Sequence, residues 1–318
     1  MPRRLKPPFV CWCEYALMLF GVTLARILPL PAARRAARVV FRVGYHLPFL
    51  PFRRRSIQHI MHAGVRPDRK SAEALAKRVY GQFSQLGVEV FKFDQCFDPS
   101  KFRCVGEEAV LNRFIRPDAS GRSPEPFILI TGHYGNWEVL GAGLTPITRR
   151  PLVSLMRPFS NPLIEKLVMK VRGGELRRLV YNDRQMPLRP ILRALREGAC
   201  VTVAMDQHAS RHEGIETTFF GQPCRTHKTP ALLHLKTGIP ILPVFCRRLP
   251  GDDFSFELLC GHVIEYRSTG DKMADVRTIT QRCNDELQRL IAADPEQWLW
   301  AHRRWLNINR KWYREAEK

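Results

Sequence analysis

At 318 residues the chain has room for two domains of about 150 residues each, or for one large α/β domain with an N-terminal addition, and either buries a sizeable core. A composition of 45% hydrophobic and 25% charged residues excludes disorder and a polytopic membrane protein; scattered glycines and length exclude collagen-like and small disulfide-framework classes. Lysine and arginine total 51 against 30 acidic residues, a net charge of +21 that asks for a polyanionic partner: nucleic acid, anionic lipid or an acidic protein.

Phe9 to Leu30 is a mostly apolar run interrupted by Glu14 and Arg26. A bilayer core takes about 20 apolar residues, a length this run reaches only by including both charges. No small-residue cleavage signature comes after it, so residues 1–31 read as a membrane anchor, with a buried helix of the globular domain as the alternative. After Pro29-Leu30-Pro31, the run AARRAARVVFRVGYHL sets Arg34, Arg38 and Arg42 on one helix face. Residues 32–60 thus form a basic interfacial segment suited to a membrane surface, unless these arginines are simply solvated. Arg53-Arg54-Arg55, clustered after the apolar run, orients residues beyond 31 toward the cytoplasm.

Leu75, Val79, Phe83, Leu86 and Val90 recur at helical spacing and predict one helix over 71–93. Residues 94–125 read as an irregular connector. Beyond it, short apolar runs at 126–130, 152–156, 200–205, 239–245 and 254–259 predict buried strands, separated by helices at 137–144, 161–172, 187–197 and 229–237. This alternation predicts an α/β core with a mainly parallel sheet flanked by helices. Val276, Ile279, Cys283, Leu287 and Leu290 mark a further helix, and Asp294-Pro295 is expected to start a last one carrying Trp298, Trp300 and Trp305. The nine cysteines show no CxxC or zinc-finger spacing, so structural zinc is not expected and a reducing compartment is.

In a parallel sheet, ligands bind beyond the carboxyl ends of the strands. Those ends carry TGHYGNWE (131–138), Arg157, and Asp206-Gln207-His208. On a regular helix His133 and Glu138 would stand about 140° apart, so they meet only if His133 lies in a turn before the helix. Gly132 and Gly135 permit that turn, and Asn136 is a good N-cap for a helix starting at Trp137. Glu138 would then hold the imidazole tautomer while His133 accepts a proton, and turn N–H groups would face an oxyanion. A loop histidine beside a surface glutamate is the alternative that spacing alone leaves open.

GHYGNWE resembles the His-x4-Asp/Glu signature of glycerolipid-type acyltransferases, in the form found in the late acyltransferases of lipid A biosynthesis. The likeness continues through LMRPFSNPLIEKL (155–167), LREGACVTVAMDQ (195–207), TTFFGQP (217–223), ALLHLKTGIPILPVF (231–245) and QWLWAHRRW (297–305), in the family's order. It implies a glycerolipid-acyltransferase-like fold, with residues 61–318 as the acyltransferase domain behind the N-terminal anchor. It further implies a cell inner membrane enzyme, catalytic domain on the cytoplasmic face. Such an enzyme moves an acyl chain from acyl carrier protein or acyl-CoA to a hydroxyl of an anionic lipid A precursor, without cofactor, metal ion or acyl-enzyme. In that reading His133 is the general base and Glu138 its orienting partner, while Arg157 binds acceptor phosphate or carboxylate through its planar fork. Asp206 and Gln207 orient acceptor groups or brace the sheet edge, Asn136 and Gly135 are further substrate-binding candidates, and His302, Arg303 and Arg304 have a structural or charge-pairing role.

Other readings stay open. The same chemistry suits a lysophospholipid or glycosylated phosphoinositide acceptor. Metal-dependent hydrolysis by His133, Asp206 and His208 lacks a paired-histidine motif such as HExxH. A non-catalytic membrane- or nucleic-acid-binding protein is the remaining class, although the chain has no recognisable nucleic-acid motif or clustered aromatic platform.

Overall fold

The computed structural model describes residues 6–47, 52–156, 158–172, 176–181, 188–251 and 253–305. Prolines in their first turns start helices α1 (Pro8–Ile27) and α2 (Leu30–His46). Helices α3 (Phe52–His62) and α4 (Arg69–Phe83) come next, and Asp68 caps α4 by accepting the Ser71 N–H at 2.9 Å. The single helix expected over 71–93 ends instead at Ser84, whose hydroxyl back-bonds to the Gly81 carbonyl at 2.6 Å. Bonding of that kind bends helices. The chain resumes as α5 (Leu86–Phe91) and α6 (Phe93–Cys96).

The stretch 94–125 is not the irregular connector expected: it holds β1 (Phe102–Val105) and α7 (Glu108–Phe114), each too short to show a period. The core then alternates as β2 (Ile128–Thr131), α8 (Trp137–Thr148), β3 (Leu152–Met156), α9 (Pro162–Arg172), β4 (Arg177–Tyr181), α10 (Leu188–Arg196) and β5 (Cys200–Ala204). A hairpin of β6 (Gly214–Phe219) and β7 (Gln222–His227) is inserted before α11 (Thr229–Thr237), β8 (Ile241–Arg248), β9 (Phe256–Cys260) and α12 (Lys272–Ala293). Its tip is Phe220-Gly221, both with positive φ (51° and 69°), the geometry of a tight two-residue hairpin turn.

The main sheet runs β1-β9-β8-β2-β5-β3-β4, and every neighbouring pair is parallel except β8–β9. Alternation along the strands sends Ile128, Ile130, Val201 and Val203 into a core shared with α4, α10, α11 and α12. Leu129, Cys200, Leu242 and Val244 enter the opposite core beneath α7 and α8. The mainly parallel α/β fold expected from the alternation is the one observed.

Two expectations need correction. Among the described residues the last helix does not form: Pro295–Gln297 makes one 3-10 turn, and Trp298, Trp300 and Trp305 are buried one by one in the core along irregular chain. Arg34 does not share an outer face with Arg38 and Arg42. It is 2% exposed and pairs with Glu89 at 2.9 Å, because α2 packs on α4 and α5 and turns position 34 inward.

Candidate active site

β2 lies at the centre of the sheet, and the turn after it is built by close backbone packing. Gly135 has φ 55°, and a Cβ there would lie 2.0 Å from the Cys246 carbonyl oxygen, so no other residue fits. Gly135 N–H donates to the Gln297 carbonyl at 2.7 Å and Asn136 N–H to that of Cys246 at 3.0 Å. The Asn136 side chain caps α8 by accepting from Val139 N–H at 3.2 Å. Its amide nitrogen donates to Glu89 at 2.8 Å, and Glu89 is fully buried between Arg34 and Arg248.

Parallel pairing of β2 with β5 sets Thr131 opposite Ala204, so the residues two beyond each, His133 and Asp206, emerge side by side. Asp206 accepts the His133 backbone N–H at 2.6 Å, the His133 Nδ1 at 2.9 Å and the Trp298 indole N–H at 2.9 Å. Burial opposes ionisation of this fully enclosed carboxyl. The attraction and hydrogen bonds of His133, aided by His302, nonetheless hold it well below the usual carboxylate range. A carboxylate on Nδ1 fixes the tautomer, leaving Nε2 as the acceptor.

Two aromatic rings flank the imidazole. Trp137 meets it edge-on at 4.7 Å and His302 at 4.4 Å between centroids. The Gln207 amide nitrogen is 3.0 Å from Nε2 and 3.3 Å from Nδ1 of His133, and 3.4 Å from His302 Nε2. The two nitrogens of one ring point apart, so an atom near both sits over the ring face and off the Nε2 lone-pair axis. Burial, and then the neighbouring His133, lower the His302 pKa to about 4, so this second imidazole is neutral near pH 7.

A cavity of about 400 Å³ opens at this point, with His133, Glu138 and Gln207 on its polar wall. It extends between α8 and strands β3 and β4, where Leu140, Gly141, Leu152, Leu155 and Leu179 line it together with Ser154 and Arg177. One polar end and one leucine-rich arm, with Arg177 and Ser154 at its side, suit a ligand that carries a reactive head on a chain.

The sequence-predicted residues therefore take partly different places. The carboxylate on Nδ1 is Asp206, not Glu138. The five-residue spacing pointed to Glu138, but the adjacent strand delivers Asp206, while Glu138 accepts from the Trp137 indole N–H at 2.9 Å and lines the cavity. Asp206, Asn136 and Gly135 serve the turn rather than a substrate: Asp206 and Asn136 are fully buried, and the bonds above engage them. The N–H groups of His133, Tyr134, Gly135 and Asn136 are committed to internal acceptors, so the glycine-bearing turn does not offer them to an oxyanion. Arg157 lies outside the described residues. Trp298 stands on Asp206 and His302 on the His133 imidazole, places that sequence reasoning missed because the helix expected to carry them does not form.

A family model for bacterial lipid A biosynthesis acyltransferases matches residues 9–307. The chain belongs to that family. Phosphatidylinositol mannoside acyltransferases of two Mycobacterium tuberculosis strains, CDC 1551 / Oshkosh and ATCC 25618 / H37Rv, are each 28% identical to it over 183 residues, 56% of this chain and 54% of theirs. The chain spans about half the length of the curated relatives it matches. In this lipid A acyltransferase family member, the fold gathers sequence blocks that are far apart. The turn at 132–138, the strand ending in Asp206-Gln207 and the Trp298–His302 segment meet at one imidazole.

Proposed function

We propose that the protein transfers a fatty acyl chain from an acyl thioester, on acyl carrier protein or CoA, to a hydroxyl of a lipid A precursor at the cytoplasmic face of the inner membrane. The observation that carries this reading is His133, tautomer-locked by Asp206 and set at the mouth of a cavity with an apolar arm. His133 Nε2 takes the acceptor proton as the hydroxyl oxygen attacks the thioester carbonyl, forming a tetrahedral oxyanion. Collapse expels the thiolate, which receives the proton from the imidazolium, so no net proton is gained or lost. Asp206 stabilises the transient imidazolium, and Glu138 adds a second negative charge on the same cavity wall. The N-terminus of α8 directs its positive dipole end toward the developing oxyanion. The acyl chain lies in the arm between α8 and β3. Arg157 comes directly after β3 and is proposed to grip acceptor phosphate through its planar fork. The +21 charge favours encounter with an acidic carrier and an anionic lipid, an advantage that salt removes. No cofactor takes part in this scheme.

A second acceptor, a phosphoinositide mannoside, is favoured by the names of the mycobacterial relatives. The deciding experiment incubates the detergent-purified protein with acyl-carrier-protein and acyl-CoA donors, against lipid A precursor and phosphatidylinositol mannoside, and reads products by mass spectrometry. Mass gain by one acyl group on the lipid A precursor supports the first reading, and gain on the mannoside alone the second. Turnover of neither, with thioester intact, overturns both.

A further inference from the structure

We infer that α1 lies in the plane of an anionic membrane surface, docked lengthwise on the domain, and does not cross the bilayer. This goes beyond the acyl-transfer reading and does not depend on it. By length and hydropathy α1 is long enough to span. Its side chains, however, divide into two faces. Cys11, Glu14, Tyr15, Met18, Val22 and Ala25 are buried or half-buried at helical spacing, and α1 packs on α5 and α9. Phe9, Trp12, Leu17, Phe20, Leu24 and Ile27 form the opposite stripe, and Leu17, Phe20 and Ile27 are 75%, 68% and 75% exposed.

The two charges in the apolar run are both held by the domain. Toward the N-terminal end, the Asn161 amide, itself 2% exposed, donates to the Cys11 carbonyl at 2.9 Å and to Glu14 at 3.1 Å, while Lys6 pairs with Glu14. At the other end, Arg26 grips Asp94 with two bonds of 2.8 and 2.9 Å, and Lys92 donates to the carbonyls of Arg26 and Leu28. The domain thus holds the segment from Cys11 to Leu28 at both ends. A spanning helix would carry these polar contacts, and the domain with them, into the hydrocarbon. The uninterrupted apolar stretch from Tyr15 to Ala25 is about 16 Å long at 1.5 Å per residue, roughly half of a bilayer core.

The next helix argues for the same partner. α2 contacts α1 and turns Val39 and Val43 outward, both exposed, with Arg35 and Arg42 beside them on the same side of the helix. An exposed apolar stripe bordered by arginine matches acyl chains bordered by anionic headgroups. Asn161 lies two residues beyond Phe159, which lines the cavity, so the segment that holds α1 runs on from the cavity wall.

Two measurements on the full chain test the inference. Protease is added to inverted inner-membrane vesicles carrying the protein with an N-terminal epitope tag. An in-plane α1 leaves tag and domain on one side, digested together. Survival of the tag while the domain is digested shows a spanning helix and overturns the proposal. Separately, flotation with vesicles of phosphatidylglycerol and phosphatidylcholine compares the unaltered chain with Leu17→Asp/Phe20→Asp/Ile27→Asp, whose sites face away from the domain. The triple variant should keep its thermal midpoint and lose at least tenfold in binding, and the unaltered chain should bind pure phosphatidylcholine more weakly. Equal binding by variant and unaltered chain, or indifference to phosphatidylglycerol, overturns the partner assignment. Loss of acyl transfer alters neither readout.

Discussion

Asp206 holds His133 twice, through Nδ1 at 2.9 Å and through the backbone N–H at 2.6 Å, and so fixes both the tautomer of the ring and the path of the chain that carries it. A single buried carboxylate thus orients the imidazole.

That relationship orders the effects of mutation. His133→Ala removes the proposed proton acceptor and should lower kcat by about 10²–10⁴. Asp206→Asn offers an amide N–H to Nδ1, which drives the proton to Nε2 and removes the lone pair, so the loss should be of similar size. Glu138→Gln should retain distinctly more activity than either. Steady-state rates of the three purified variants check the ranking, and an Asp206→Asn enzyme more active than Glu138→Gln would refute it.

Stability should fall on mild acidification. Burial lowers the pKa of His59 to about 3 and that of His302 to about 4, against about 6.5 in an unfolded chain. Between about pH 6.5 and 4 the unfolded state therefore binds more protons than the native one, and native stability drops by up to about 1.4 kcal/mol per pH unit for each histidine. Below about pH 4 the depressed Asp206 carboxyl adds a loss of the same sign. Thermal midpoints at pH 7 and pH 5 should differ clearly, and His302→Gln should narrow the gap; an unchanged gap would sink the assignment.

Glu89→Leu leaves Arg34 and Arg248 buried without their carboxylate and releases the Asn136 amide. Removing one partner from a buried ion cluster typically costs about 3–5 kcal/mol. Denaturant unfolding should show a loss in that range, whereas Glu73→Ala, at a half-exposed pair with Arg53, should change stability by about 1 kcal/mol or less.

Gly141 sits where α8 faces β3, and an added Cβ would stand 3.3 Å from Leu152 Cδ2. Gly141→Val should narrow the apolar arm and shift preference toward shorter acyl donors, read as kcat/KM across chain lengths. An unaltered chain-length profile would remove the arm from acyl binding.

Elements are legible in the sequence where their signal is local. Strands such as Leu152–Met156 and helices such as Thr229–Thr237 are written in consecutive residues, and the glycines and Asn136 of the turn before α8 announce its geometry. The partner of His133 is not local. It depends on β5 being the neighbour of β2 and on the register between them, which no spacing within 132–138 contains. Trp298 and His302 were hidden for a related reason: Pro295 does start a helical turn, but burial of three tryptophans ends it after one. Arg26, which weakens the case for a spanning segment, finds Asp94 only once α6 is folded beside α1, and Glu14, paired with the nearby Lys6, gains Asn161 only from the start of α9.

The tip of the β6–β7 hairpin bears on how firmly the His133 imidazole is held. Phe220 holds a left-handed backbone that a β-carbon resists, a local strain of about 1 kcal/mol or more that asparagine or glycine would relieve. Its ring, however, packs at 6.5 Å on Trp298 and 5.7 Å on Trp300, and the Trp298 indole in turn holds Asp206. A Phe220→Gly protein would thus have the more relaxed turn and the looser carboxylate. The hairpin works as a buttress, with strain at its tip exchanged for stiffness three side chains away, at the imidazole.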